Sequence, residues 1–136
     1  MTTEAKALSG SDMSGQDWVA ICQLSDIAKN TGVCAEFNGE QVAIFHLYSK
    51  ALGEESEIKA VGNYDPFGKA NVLSRGLITE KENSYRIASP LLKQEYCLTT
   101  GKCLQDESIV IPTYKARVKD SVVELCAALE TAATEA

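Results

Sequence analysis

Two loops of this 136-residue chain are built on one plan, and they leave little freedom to the segments around them. The first reads Asp65-Pro66-Phe67-Gly68-Lys69-Ala70 and runs into Leu73-Ser74-Arg75-Gly76. The second lies within Ile87 to Gly101: Ser89-Pro90, a polar corner, an aromatic-centred strand, then Thr99-Thr100-Gly101. In each, a proline one residue into the loop fixes φ and removes a backbone donor. Each ends in a glycine suited to a positive-φ turn.

The segments around the loops read as short strands. Trp18 to Leu24 is the first, followed by a helical turn at Ser25-Asp26-Ile27 with a serine cap. Val33 to Phe37 and Gln41 to Tyr48 flank Asn38-Gly39, a dipeptide whose residues both accept positive φ and which therefore signals a hairpin. Gln41 to Tyr48 carries Ala43, Phe45 and Leu47 on one face and Val42, Ile44, His46 and Tyr48 on the other, which predicts a strand covered on both sides. A polar loop, Ser49 to Ser56, leads to a strand over Glu57 to Val61. Leu77 to Thr79 is expected to pair with Arg86 to Ala88 across the charged tip Glu80 to Asn83, and Glu95 to Leu98 with Lys102 to Leu104. Tyr114 to Lys119 alternates, with Tyr114, Ala116 and Val118 inward. Asp120-Ser121 then turns the chain into Val122 to Leu125, and the Ala- and Glu-rich stretch 126–136 predicts a short helix or a tail. Residues 1–16 lack any period and read as a mobile tail. Many short strands separated by Gly, Pro and Asn turns predict an all-β sandwich or barrel over 17–125.

The two loops, with a strand between them, resemble the cluster-binding loops of a Rieske domain. In that family they read Cys-Pro-His and Cys-Pro-x-His-Gly, and two His replace two Cys on one iron of a two-iron cluster. Here Asp65 and Ser89 stand in place of the cysteines, Phe67 and Leu92 in place of the histidines. Phe and Leu have no donor atom, and Asp and Ser are hard oxygen groups poorly matched to iron that prefers thiolate or imidazole. The frame survives without its ligands. DPFGKANVLSRG, ASPLLKQEYCLTTGKCL and IPTYKARVKD together resemble the small subunit of NAD(P)H-dependent assimilatory nitrite reductase, over about Asp17 to Leu125. Ser121 departs from that pattern, standing where glycine usually completes an Asp-Gly turn.

The resemblance implies three small antiparallel sheets, with the loops on a subdomain of about Asn63 to Leu98. It also implies an accessory subunit without a catalytic site or bound cofactor of its own. Reduction of nitrite to ammonium would occur on a large subunit carrying FAD, sirohaem and an iron–sulfur cluster. The alternatives are a stand-alone binding module on a cluster-free Rieske scaffold, or a Rieske-type electron carrier with replaced ligands.

Composition narrows the partners. A net charge of −6 disfavours nucleic acid, which needs a basic face, and disfavours an anionic membrane surface. No apolar run reaches transmembrane length and the first residues lack the apolar region of a secretory signal, so the expected setting is the cytoplasm. Five cysteines, an odd number, then predict free thiols. Cys97 and Cys103 flank the Thr-Thr-Gly turn and could approach each other on paired strands. The single histidine, His46, lies mid-strand among apolar neighbours and reads as structural. Against the overall acidity, Lys69, Arg75 and Lys93 cluster on the loops around Phe67, Leu91 and Leu92. An apolar centre inside a basic rim is the usual anatomy of an interface, so these six residues are the candidate docking surface.

Overall fold

A computed structural model describes residues 18–49, 55–81 and 84–129. Its strands are β1 (Trp18–Gln23), β2 (Thr31–Phe37), β3 (Glu40–Ser49), β4 (Glu55–Gly62), β5 (Tyr64–Asp65), β6 (Ala70–Asn71), β7 (Leu77–Lys81), β8 (Ser84–Ala88), β9 (Glu95–Cys97), β10 (Thr113–Lys119) and β11 (Val122–Leu129). They form three antiparallel sheets: six strands in the order β1-β11-β10-β4-β3-β2, a β5-β6 pair, and three strands in the order β7-β8-β9.

β3 is the shared wall of the two cores. Ala43, Phe45 and Leu47 join Leu73, Ile87, Tyr96, Leu98, Cys103 and Ile111 on one side. Val42 and Ile44 join Ile27, Phe37, Tyr114, Val123 and Leu125 on the other. Full burial of each large apolar side chain contributes about 1.5–3 kcal/mol, so the loop-bearing sheet is anchored through β3 by apolar packing. His46, on the second face, donates from Nδ1 to the Ile27 carbonyl at 2.7 Å while its Nε2 meets the Ser56 hydroxyl at 2.7 Å. It is a satisfied structural histidine.

The turns follow from local chemistry. Asn38 (φ 54°) and Gly39 (φ 80°) close the β2–β3 hairpin with both residues at positive φ. Asp120 (φ 54°) and Ser121 (φ 68°) do the same between β10 and β11, so the serine occupies a left-handed site that glycine would fill without strain. The β7–β8 register is Leu77 with Ala88, Ile78 with Ile87 and Thr79 with Arg86, the two runs expected to pair across the charged tip.

Several expectations need correction. No helix begins at Cys126: β11 runs to Leu129, because Cys126 pairs with Trp18 of β1 and Leu129 with Tyr114 of β10. Pairing on both edges overrides the helix preference of Ala and Glu. Residues 130–136 lie outside the described residues, as do the expected N-terminal tail, most of the 49–56 loop and the tip residues 82 and 83. Val118 is not inward but 37% exposed; among the described residues β10 pairs with β4 only at Thr113 and Tyr114, at the other end of the strand. Cys97 and Cys103 do not face each other. Tyr96 bridges Cys103, and the Cys97 N–H donates to the Lys102 carbonyl, so alternation puts Cys103 in the core and Cys97 on the opposite face.

Candidate functional site

The first loop is the turn between β5 and β6, where Asp65 pairs with Ala70. The Asp65 carbonyl accepts the Lys69 N–H at 2.6 Å, and its side-chain Oδ1 accepts the Phe67 N–H at 3.0 Å. The second loop joins β8 to β9. The Ser89 carbonyl accepts the Lys93 N–H at 3.1 Å, and Ser89 Oγ accepts the Leu91 N–H at 3.1 Å. The two are thus the same turn, X-Pro-x-x-Lys, with X holding the N–H two residues on and the lysine four residues on. Both lysines sit at positive φ, 59° for Lys69 and 67° for Lys93.

The loops are pinned to each other. Ser89 Oγ donates to Asp65 Oδ2 at 2.5 Å, and the Tyr96 hydroxyl donates to Asp65 Oδ1 at 2.8 Å. Asp65, Ser89 and Tyr96 are all buried. Gly68 completes the contact: a Cβ there would lie 2.6 Å from Leu91 Cδ1 and 2.9 Å from Asp65 Oδ2, so a side chain would have to displace Leu91 and crowd the buried carboxylate. Burial alone would push the Asp65 carboxyl up. Hydrogen bonds from Ser89, Tyr96 and the N–H groups of Phe67 and Gly68 outweigh it and leave the carboxyl below its ordinary value. Burial, and the bond to the same carboxylate, push the Tyr96 hydroxyl far above its usual range, so it stays a donor.

Asp65 thus serves its own turn and also joins the two loops through Ser89 and Tyr96. The visible signal was the aromatic at the centre of the following strand, whose polar tip needs a partner when buried. Phe67 packs against the first core. Leu92 does not fill the space between the loops: it is 55% exposed, and Leu91 is 48% exposed. Lys69, Arg75 and Lys93 are exposed as well.

These residues do not fit an iron–sulfur cluster. Asp65 and Ser89 are committed to each other, and Phe67 and Leu92 offer no donor. Freshly purified protein is expected to contain no stoichiometric iron or acid-labile sulfide. Two irons and two sulfides per chain in an elemental and sulfide assay would contradict this.

Twin X-Pro loops pinned at the end of a three-stranded sheet define a Rieske-like domain, and the model of the Rieske-like 2Fe-2S domain family matches residues 17–126. The nitrite reductase (NADH) small subunit of Salmonella typhimurium is 48% identical over 108 residues, which are 79% of this chain and 95% of that protein. The chain belongs to the family of nitrite reductase small subunits. The NMR structure of the Escherichia coli protein NirD superposes with a TM-score of 0.72 at 45% identity, covering 82% of this chain and 96% of that one. A segment of the NAD(P)H nitrite reductase large subunit of Klebsiella oxytoca is 29% identical over 111 residues, covering 82% of this chain but 11% of that much longer protein. Among the described residues no helix is long and apolar enough to cross a membrane.

Proposed function

We propose that this chain is the accessory small subunit of a cytoplasmic, nicotinamide-dependent assimilatory nitrite reductase, and that it docks on the large subunit through the tips of its paired loops. The observation that carries this reading is the Asp65–Ser89–Tyr96 lock. Positions that would hold a cluster are spent on holding the loop frame, and the frame presents Leu91 and Leu92 beside Lys69, Arg75 and Lys93. A chain that keeps this surface on a frame whose Phe67 and Leu92 offer no donor to a cluster is best explained as a binding element. The Klebsiella large subunit supports the pairing, because it contains a segment like this chain within one polypeptide. Nitrite reduction to ammonium, and the FAD, sirohaem and iron–sulfur groups it calls on, would then belong to the large subunit.

The test is copurification with the large subunit from the same source, followed by association kinetics. Lys69→Glu with Lys93→Glu is expected to slow association by about tenfold or more at low salt and by much less at high salt, because rim charges act mainly through steering. The melting temperature should stay within a few degrees of wild type, since exposed charges contribute little to stability. Unchanged rates at both salt concentrations would place the docking surface elsewhere.

A further inference from the structure

Beside the lock lies an open cleft of about 370 Å³ that the sequence does not reveal. One wall is Arg75, Gly76 and the start of β7, and the other is the end of β8 with the second loop. Arg75 and Lys93 both line it, with Leu77, Ala88, Ser89 and Pro90 between them. Its floor is tight: a Cβ on Gly76 would lie 2.2 Å from the Ala88 carbonyl oxygen, so the two backbones meet there and the cleft cannot close further. Leu77, paired with Ala88, is 68% exposed at the wall.

The charge on this cleft is unbalanced. No acidic residue lines it. Of the nearest carboxylates, Asp65 is buried behind Ser89 and already committed, and Glu95, paired with Ala88 on β9, stands beside the cleft without lining it. Elsewhere in this acidic protein Lys59 pairs with Glu57 and Arg117 with Glu124, whereas among the described residues neither Arg75 nor Lys93 has an ion pair. Lys93 is also held in the left-handed region, where a non-glycine residue costs about 1–2 kcal/mol. A glycine would relieve that strain but would remove the cation from the rim.

We infer that the cleft is a socket for an acidic segment of the large subunit: an Asp or Glu carboxylate between Arg75 and Lys93, with an apolar neighbour on Leu77. This rests on the docking role proposed above. Arginine supplies the planar fork that a carboxylate matches, and lysine supplies a point charge from the opposite wall. The exposed leucine gives an apolar neighbour its contact. A polyanion fits poorly, because only two cations line the cleft of a chain with net charge −6.

The experiment uses the whole chain and the intact large subunit. Equilibrium binding is compared for wild type, Arg75→Ala with Lys93→Ala, and Lys69→Ala, with melting as the fold control. The double variant is expected to bind on the order of a hundredfold more weakly, mainly through faster dissociation, and Lys69→Ala less than about threefold. Carbodiimide coupling of the wild-type complex, read by mass spectrometry, should give an amide between Lys93 Nζ and an Asp or Glu of the large subunit. Wild-type affinity in the double variant, or coupling through other lysines with Lys93 unlinked, would overturn the socket while leaving the docking role intact. A wild-type chain that does not bind the large subunit would overturn both.

Discussion

Replacing Asp65 by alanine should cost about 3–5 kcal/mol, because the substitution strands the buried donors of Ser89, Tyr96 and the Phe67 N–H at once. Each stranded donor carries a penalty of about 1–3 kcal/mol, and they do not add in full because the loops can relax apart. A domain of this size is stable by about 5–15 kcal/mol, so a drop in melting temperature of more than about 12 °C is expected. Asp65→Asn is the informative companion. It keeps an acceptor for Tyr96 and turns an N–H toward the Ser89 hydroxyl, which can accept, so its cost should be about 1 kcal/mol. The pair also has a pH signature. The folded Asp65 carboxyl lies below its unfolded value, so its contribution is fully present above the unfolded value of about 3.9 and is lost as pH falls through the folded one. Wild type should therefore lose stability below about pH 4 more steeply than Asp65→Asn. Melts of all three proteins between neutral and acid pH check both points, and an alanine variant that melts with wild type would show that the lock contributes nothing.

Gly101→Ala should be nearly as damaging, for a different reason. Gly101 has φ 80°, its N–H donates to the Cys97 carbonyl at 2.7 Å, and its own carbonyl accepts the Ile111 N–H at 2.9 Å. A Cβ would lie 2.2 Å from the Ile111 carbonyl oxygen and 3.1 Å from Thr113 Cγ2. The obstacle is backbone held on both sides, so it cannot move aside cheaply. Gly39 supplies the control, since it has the same φ of 80° but nothing within 4 Å of its added Cβ. Gly39→Ala should cost about 1–2 kcal/mol from conformation alone. Gly101→Ala should cost about 3 kcal/mol or more, the excess being the steric part. Equal losses in denaturant titrations of the two variants would mean that the backbone around Gly101 gives way.

The framework of this fold was legible wherever a short-range rule governs the backbone. Asn38-Gly39 dictates its own turn, Leu77 to Thr79 and Arg86 to Ala88 pair across the charged tip between them, and the double-sided apolar pattern of β3 announces a wall between two cores. The proline of each loop likewise marks where pairing stops. What stayed hidden depends on contacts between distant residues. Tyr96 reaches Asp65 across a sequence separation of 31, and no local pattern reports that a tyrosine will find a carboxylate on another loop. The left-handed lysines were hidden because lysine seldom adopts that conformation, although the shared X-Pro-x-x-Lys spacing was there to be seen. Strand β11 continued past Cys126 against composition, since two neighbouring strands outweigh the helix preference of alanine. The cleft between Arg75 and Lys93 needed coordinates, because its walls are separated by a whole hairpin.

The lock has a consequence for how such a subunit is made. Loops joined by one carboxylate and two hydroxyls are finished when the chain folds, because every nascent polypeptide already carries the groups that join them. The joint at the tip is made of side chains alone. Its shape is therefore set as soon as the chain has folded.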